Sequence, residues 1–229
     1  MQILIGIGAV ILGYILGSIP FGLIIVKLKT GKDIRTVESG RTGGTNAVRA
    51  AGFGAGLLTA ILDILKGAVA VWVAQALSPE NHIIHVLAPV GAILGHNYSL
   101  FLIERDANGK LRFRGGAGGA PALGGAMGLW WPMFPIVFSV GLLVWFTVGI
   151  ASVTTMIIGL VVTIVFAVRA AQGLQDPIDI WYGVIAEILL LWALRPNIQK
   201  LLSGNERVIK YSLNGWLRAR KELKAESNK

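Results

Sequence analysis

The sequence predicts an all-α, polytopic membrane protein, and three observations carry that expectation. The apolar residues run in long unbroken blocks and do not alternate with polar ones, which is the pattern of spanning helices. Only 14% of the 229 residues are charged and 54% are hydrophobic, whereas soluble domains carry nearer a quarter charged residues. The basic residues, finally, are gathered almost entirely in three stretches between or after the blocks.

A spanning helix needs roughly 20 predominantly apolar residues. Seven segments qualify or come close: Ile3–Val26, Gly56–Leu77, Ile83–Ile103, Gly118–Trp131, Met133–Gly149, Ser152–Val168 and Ile178–Leu194. The first lacks a basic leader and a small-residue cleavage site, so it reads as a mature span and not as a removed signal. The fourth and fifth are short and share the Trp130-Trp131-Pro132 corner. They read as two spans, as one kinked span or as a re-entrant pair.

Charge sets the expected orientation. Lys27–Arg49 holds six of the 21 Lys and Arg residues, Arg105–Arg114 holds four, and the tail from Arg195 holds nine. The positive-inside rule places these three regions in the cytoplasm. The N-terminus is then outside and the C-terminus cytoplasmic, which needs an odd number of spans, and about seven transmembrane helices satisfy it. Residues 1–206 form one membrane domain on this reading, and residues 207–229 form a basic cytoplasmic tail. Within the tail Leu213, Trp216, Leu217 and Arg220 recur at helical spacing. Either an interfacial helix on anionic lipid or a solvated basic tail accounts for them.

The absence of cysteine excludes thiolate nucleophiles, disulfides and cysteine metal sites. No residues stand at metal-ligand spacing, and neither a Gly-x-Ser-x-Gly elbow nor an acid–histidine acyltransferase box is present. No cofactor and no metal are therefore expected. Asp63 and Lys66 stand three apart in the second segment, close enough on one helix face to neutralise each other. Glu187 lies mid-way through the last segment with no local partner. It is expected to face the bundle interior, satisfied by Lys66, by His96 or by a proton.

Three loops on the basic side have compositions that anchoring alone does not require. Ser39-Gly-Arg-Thr-Gly-Gly-Thr-Asn-Ala-Val-Arg49 combines glycines, whose N–H groups can form an anion nest, with hydroxyl, amide and guanidinium donors. If Thr45 or Asn46 opens a helical turn, its dipole favours the same anion. A flexible polar connector is the other reading. Arg112-Phe-Arg-Gly-Gly-Ala-Gly-Gly-Ala-Pro121, with Gly95-His96-Asn97 before it, serves either phosphate binding beside Arg114 or close helix packing. Leu194-Arg-Pro-Asn-Ile-Gln-Lys-Leu-Leu-Ser-Gly-Asn-Glu206 is either the wall of a phosphate pocket or a plain basic anchor.

Taken together these segments resemble the membrane acyl-phosphate:glycerol-3-phosphate acyltransferases, the PlsY family. The match runs in order through Tyr14-Ile-Leu-Gly-Ser-Ile-Pro-Phe-Gly22, Gly31-Lys-Asp-Ile-Arg35, Ser39-Gly-x-x-Gly-Gly-Thr-Asn46 with Arg49, and Leu62-Asp-x-Leu-Lys-Gly67. It continues through Gly95-His96, Phe113-Arg-Gly-Gly-x-Gly118, Trp145, Ser152 and Asn197-Ile-x-x-Leu-Leu-x-Gly-x-Glu206. The resemblance implies a seven-span monomeric enzyme of the bacterial inner (plasma) membrane. Its substrates would be acyl phosphate and sn-glycerol 3-phosphate, drawn with membrane lipid around it, and nucleic acid would not be a partner. The acyl group would pass to the 1-hydroxyl, giving lysophosphatidic acid and phosphate for phospholipid biosynthesis. It assigns catalysis to Ser39, Asn46, His96 and Ser152. Substrate-phosphate binding falls to Arg41, Thr45, Arg49, Arg114, Gly115, Gly116, Gly118 and Asn197.

The chain departs from the family pattern at a few points. Ala117 stands where the glycine loop has lysine, Leu194 where a histidine is expected, and Arg41 where an asparagine is expected. Glu104–Leu111 is an apparent insertion, and the tail beyond Glu206 is long. Two other functions remain open at this level. One is a lipid-phosphate-binding paralogue that keeps the fold without the reaction. The other is a small transporter of anionic metabolites, suggested by Asp63, Lys66 and Glu187, although no internal repeat is visible.

Overall fold

The structure, a computed structural model, describes residues 2–209 and 211–227. Helices coincide with all seven apolar segments. They are α1 (Gln2–Ser18) with α2 (Phe21–Thr30), then α4 (Phe53–Leu77), α5 (His82–Asn97), α6 (Gly119–Leu129), α7 (Met133–Thr147), α8 (Ala151–Ala171) and α9 (Ile178–Ala193). Shorter helices α3 (Gly44–Ala51) and α10 (Arg195–Leu202) lie in the basic loops, and α11 (Leu213–Ser227) lies in the tail. Among the described residues four stretches are long and apolar enough to cross a membrane: Leu4–Thr30, Phe53–Leu77, His82–Leu102 and Ala151–Ala171. At 1.5 Å per residue α6 is only about 17 Å long, short of the roughly 30 Å hydrocarbon core. The apolar corner at Trp130–Pro132 thus separates two distinct helices, the first of them short and largely buried.

Three expectations are corrected in detail. The first segment is not one helix: it breaks between Ser18 and Phe21, because Pro20 has no N–H to donate and its ring displaces the carbonyl of Leu16. The third segment leaves the helix at Asn97, six residues early. There Ser99 donates to the Ser18 carbonyl at 2.6 Å and accepts from Phe101 N. The fold is also not purely helical. The inserted stretch forms an antiparallel hairpin, β1 (Ile103–Arg105) with β2 (Leu111–Phe113). Asp106 closes it by accepting from the Asn108 and Lys110 amides.

Small residues set the helix spacing. A Cβ added at Gly13 or Gly17 of α1 would overlap the carbonyls of Ala88 and Ala92 on α5, and one at Gly95 would overlap Tyr14 O. Likewise Gly67 of α4 and Gly124 of α6 face the Pro121 and Ile64 carbonyls. Such close approach replaces the hydrophobic drive that helices lack among lipid tails. The main core joins α5 to α9 through Ile93, Leu123, Val137, Phe166, Tyr182 and Leu190, with Tyr182 donating to the Ala122 carbonyl at 2.7 Å. Large apolar side chains such as Leu143, Phe146, Ile164 and Ile188 are exposed, as a lipid-facing surface requires. A smaller cluster of Val26, Ile34 and Ala47 pins the 31–46 loop onto α2 and α3.

Gly67→Ala is therefore expected to lower the thermal unfolding midpoint in detergent, by an overpacking cost of about 1–3 kcal/mol. Gly54→Ala, in open space on the same helix, is expected to leave it unchanged or raise it. Equal midpoints for the two variants would contradict the glycine-crossing account.

Candidate active site

The first loop is held by one side chain. Asn46, buried in the first turn of α3, directs its amide nitrogen at the carbonyls of Ile34, Val37 and Arg41, at 3.1, 3.0 and 2.8 Å. Three carbonyls around one NH2 group leave no alternative orientation of the amide. The backbone they belong to is thereby folded back over the helix start.

Arg41 leaves that loop and reaches the far end of the bundle. Its Nη2 donates to the Ala193 carbonyl at the end of α9 at 2.7 Å and to Asn197 Oδ1 on α10 at 2.9 Å. Asn197 Nδ2 donates to Glu206 Oε1 at 2.8 Å, and Ser152 Oγ donates to the same oxygen at 2.9 Å. One chain of hydrogen bonds thus joins the starts of α3 and α8 to α10. Burial pushes the Arg41 guanidinium below its ordinary value and nearby Glu206 opposes that shift, but arginine remains charged throughout. Its Nη1 is buried and has no hydrogen-bond partner among the described residues.

The glycine loop closes from the other side. Gly115 O accepts from Thr42 N at 3.3 Å, and Gly116 N donates to the His96 carbonyl at 2.8 Å. Packing is tight: a Cβ at Gly116 would overlap His96 Nε2, and one at Gly115 would overlap the His96 carbonyl. Gly118 has φ +89° and caps α6, a conformation that glycine adopts without strain. Its neighbour Asn97 is buried with neither Oδ1 nor Nδ2 partnered among the described residues. The start of α6 adds free backbone N–H groups and a positive dipole end.

The structure therefore brings together Arg41, Asn46, His96, Gly115, Gly116, Gly118, Ser152 and Asn197. The other sequence-level candidates stand apart from this network. Ser39, Thr45 and Arg49 are exposed, and Ser39 Oγ only accepts from Arg41 N at 3.4 Å. Arg114 is taken by Glu104, whose carboxylate the guanidinium holds below its usual range. Arg35, paired with Asp33 at 2.6 Å, adds a second positive charge 3.8 Å from Glu104.

Three further participants lie in the quoted motifs but carry no site role in the sequence reading. Glu206 bridges two helices, Asn97 lies against the glycine loop, and Lys66 sits behind His96. Lys66 Nζ lies 2.8 Å from Asp63 Oδ1, 2.8 Å from His96 Nδ1 and 3.1 Å from the Ile19 carbonyl. It thus neutralises Asp63, as the spacing predicts, and also caps the α1–α2 break. Glu187 instead packs against Gly159 of α8 and is not the partner of Lys66. Asp63, Lys66 and Asn97 were visible as polar residues in apolar segments, whereas nothing local marked Glu206 as a bridge.

A glycerol-3-phosphate acyltransferase family profile matches residues 7–204. The glycerol-3-phosphate acyltransferase of Rubrobacter xylanophilus is 36% identical over 198 residues, covering 86% of this chain and 92% of that protein. That of a Thermus thermophilus strain is 36% identical over 203 residues, with the same coverage of each. That of a Rhodopseudomonas palustris strain is 34% identical over 218 residues, covering 91% and 98%. Among solved structures, PlsY, an integral membrane glycerol 3-phosphate acyltransferase, superposes in its glycerol 3-phosphate form with a TM-score of 0.75. It is 30% identical, covering 89% of this chain and 95% of that one. Its lysophosphatidic acid form superposes with a TM-score of 0.73 at 28% identity, covering 90% and 96%. With its fold, its ordered motifs and its full-length relatives in agreement, this chain belongs to the glycerol-3-phosphate acyltransferase family.

Proposed function

We propose that this protein acylates glycerol 3-phosphate for phospholipid synthesis, taking the acyl group from an acyl phosphate. The observation that carries the reading is the hydrogen-bonded assembly of Arg41, Asn197, Glu206 and Ser152 against the His96–Gly116 contact. Residues from three motif-bearing loops meet there, in a chain whose relatives bear that activity's name.

Acyl phosphate is an activated mixed anhydride, so alignment and charge stabilisation are the main demands on the protein. The 1-hydroxyl oxygen of glycerol 3-phosphate attacks the acyl carbon, the bond from that carbon to the phosphate oxygen breaks, and the hydroxyl proton leaves with the phosphate. The products are lysophosphatidic acid and inorganic phosphate. Ala117 supplies no ammonium to the glycine loop, and Arg114 is engaged by Glu104. Arg41, whose buried Nη1 has no hydrogen-bond partner among the described residues, takes over the missing charge and binds substrate phosphate. Gly115, Gly116 and Gly118 let backbone approach the same group, and exposed Thr45 and Arg49 meet the incoming soluble substrate.

The bias of basic residues toward three loops supports a cytoplasmic site in a bacterial inner membrane, with the N-terminus outside, about seven crossings that include the short α6, and basic loops facing anionic lipid. The network of Arg41, Asn197, Glu206 and Ser152 is built within one chain, which supports a monomer. Residues 207–229 form a basic tail that begins docked on the end of α7, where Asn214 donates to the Val148 carbonyl; its α11 exposes Leu213, Trp216 and Leu217 and lies in the interface.

The test is phosphate release by purified protein given palmitoyl phosphate and glycerol 3-phosphate. Release that requires both substrates, and that falls when Arg49 is replaced by alanine, is the expected result. No release from well-folded protein with a range of acyl phosphates would overturn the reading in favour of a binding paralogue.

A further inference from the structure

His96 is the one imidazole against the glycine loop among the described residues, and which of its nitrogens carries the proton decides what it can do there. Its surroundings settle that question through Lys66. The Lys66 side chain is buried beside buried Asp63, with Nζ 2.8 Å from the carboxylate. Buried groups of opposite charge at that distance persist as a pair, because either alone in hydrocarbon is expensive. A charged ammonium has three donors and no lone pair. The 2.8 Å contact to His96 Nδ1 therefore has lysine as donor, and Nδ1 must be a bare acceptor.

The ring proton then sits on Nε2, the atom packed against Gly116. Asp63 lies 3.6 Å from Nδ1, beyond hydrogen-bond range, so the carboxylate acts on the ring through the lysine. We propose that Asp63 and Lys66 are positioning residues that lock His96 in its Nε2–H form, so that the histidine serves the acyl-transfer site as a hydrogen-bond donor and not as a proton acceptor. The oxygen it meets is a phosphoryl or carbonyl oxygen held at the Gly116 loop. This inference rests on the acyl-transfer reading of the site. It also deepens that reading, because a donor histidine leaves the substrate's own phosphate to take the hydroxyl proton.

Two measurements test it. The first is the 15N spectrum of histidine-labelled full-length protein in lipid nanodiscs, with His96 assigned by its loss in His96→Gln. The expected spectrum has Nδ1 unprotonated and Nε2 protonated at neutral pH. A proton on Nδ1, or on both nitrogens, would overturn the proposal. The second compares His96→Gln with His96→Asn in phosphate release. A glutamine amide reaches the Nε2 position, whereas an asparagine amide reaches only the Nδ1 position. His96→Gln is expected to keep kcat within about tenfold, and His96→Asn to lose about 10²–10³, as for a lost oxyanion donor. Equal losses would remove the donor role. If the unaltered protein releases no phosphate, the acyl-transfer reading fails by itself, and the nitrogen spectrum still decides the tautomer.

Discussion

Replacing Arg41 by alanine is expected to lower kcat/KM for phosphate release by about 10²–10³, the range seen when a transition-state charge contact is lost. Two losses coincide at this position. The buried guanidinium proposed to face substrate phosphate disappears, and the Ala193 carbonyl and Asn197 amide lose their shared donor. A hydrogen bond to a charged group is worth about 1.5–3 kcal/mol, so either loss alone accounts for at least a tenfold effect. Arg41→Lys separates the two contributions. A lysine restores charge, but its single ammonium does not reproduce the planar fork that spans two acceptors while leaving Nη1 free. An intermediate rate with a raised KM is expected. Steady-state rates at several concentrations of each substrate provide the check, and an Arg41→Ala rate within tenfold of the parent would take Arg41 out of the site.

The second large effect falls on stability. Lys66→Met leaves the buried Asp63 carboxylate without its counter-charge and is expected to cost about 3–5 kcal/mol. The double variant Asp63→Leu/Lys66→Met removes both charges and is expected to recover most of that loss. It stays about 1–3 kcal/mol short, because the Ile19 carbonyl at the Pro20 break still lacks its donor. Equilibrium unfolding in mixed detergent micelles, run on the parent and the two variants, gives all three numbers. A double variant no more stable than Lys66→Met would show that the packing, and not the charge pair, carries the stability.

Much of the scaffold was legible because hydrocarbon imposes one-dimensional rules. Each apolar block had to become a helix that satisfies its own backbone, and α4 and α6 to α9 follow the predicted blocks closely. The misreadings lie where a local polar event overrode the hydropathy signal. Pro20 splits the first block, and Lys66, forty-seven residues beyond Ile19, supplies the donor to the Ile19 carbonyl that makes the break tolerable. Ser99 turns the chain out of α5 by bonding to Ser18, eighty-one positions away. The hairpin at Ile103–Phe113 depends on the Asp106 turn, inside a stretch whose charge alone had marked it as a loop.

By itself the sequence determined that the chain is a multi-helix membrane protein, which residues form its apolar blocks, and which three polar loops gather hydroxyl, amide and guanidinium donors. Those are properties of composition and spacing along one chain, and burial in lipid converts them into structure with few alternatives. Which loop residues work together was decided only in three dimensions. Arg41 reaches Asn197 across 156 positions, and Ser152 shares an oxygen of Glu206 with Asn197. Arg114 is claimed by Glu104, a residue of the hairpin. Hydrogen bonds and ion pairs act over about 3 Å in space and are indifferent to separation in sequence. The partner of each loop donor therefore follows from how the helices pack, and that packing rests on close glycine contacts such as Gly67 against Pro121 and Gly116 against His96.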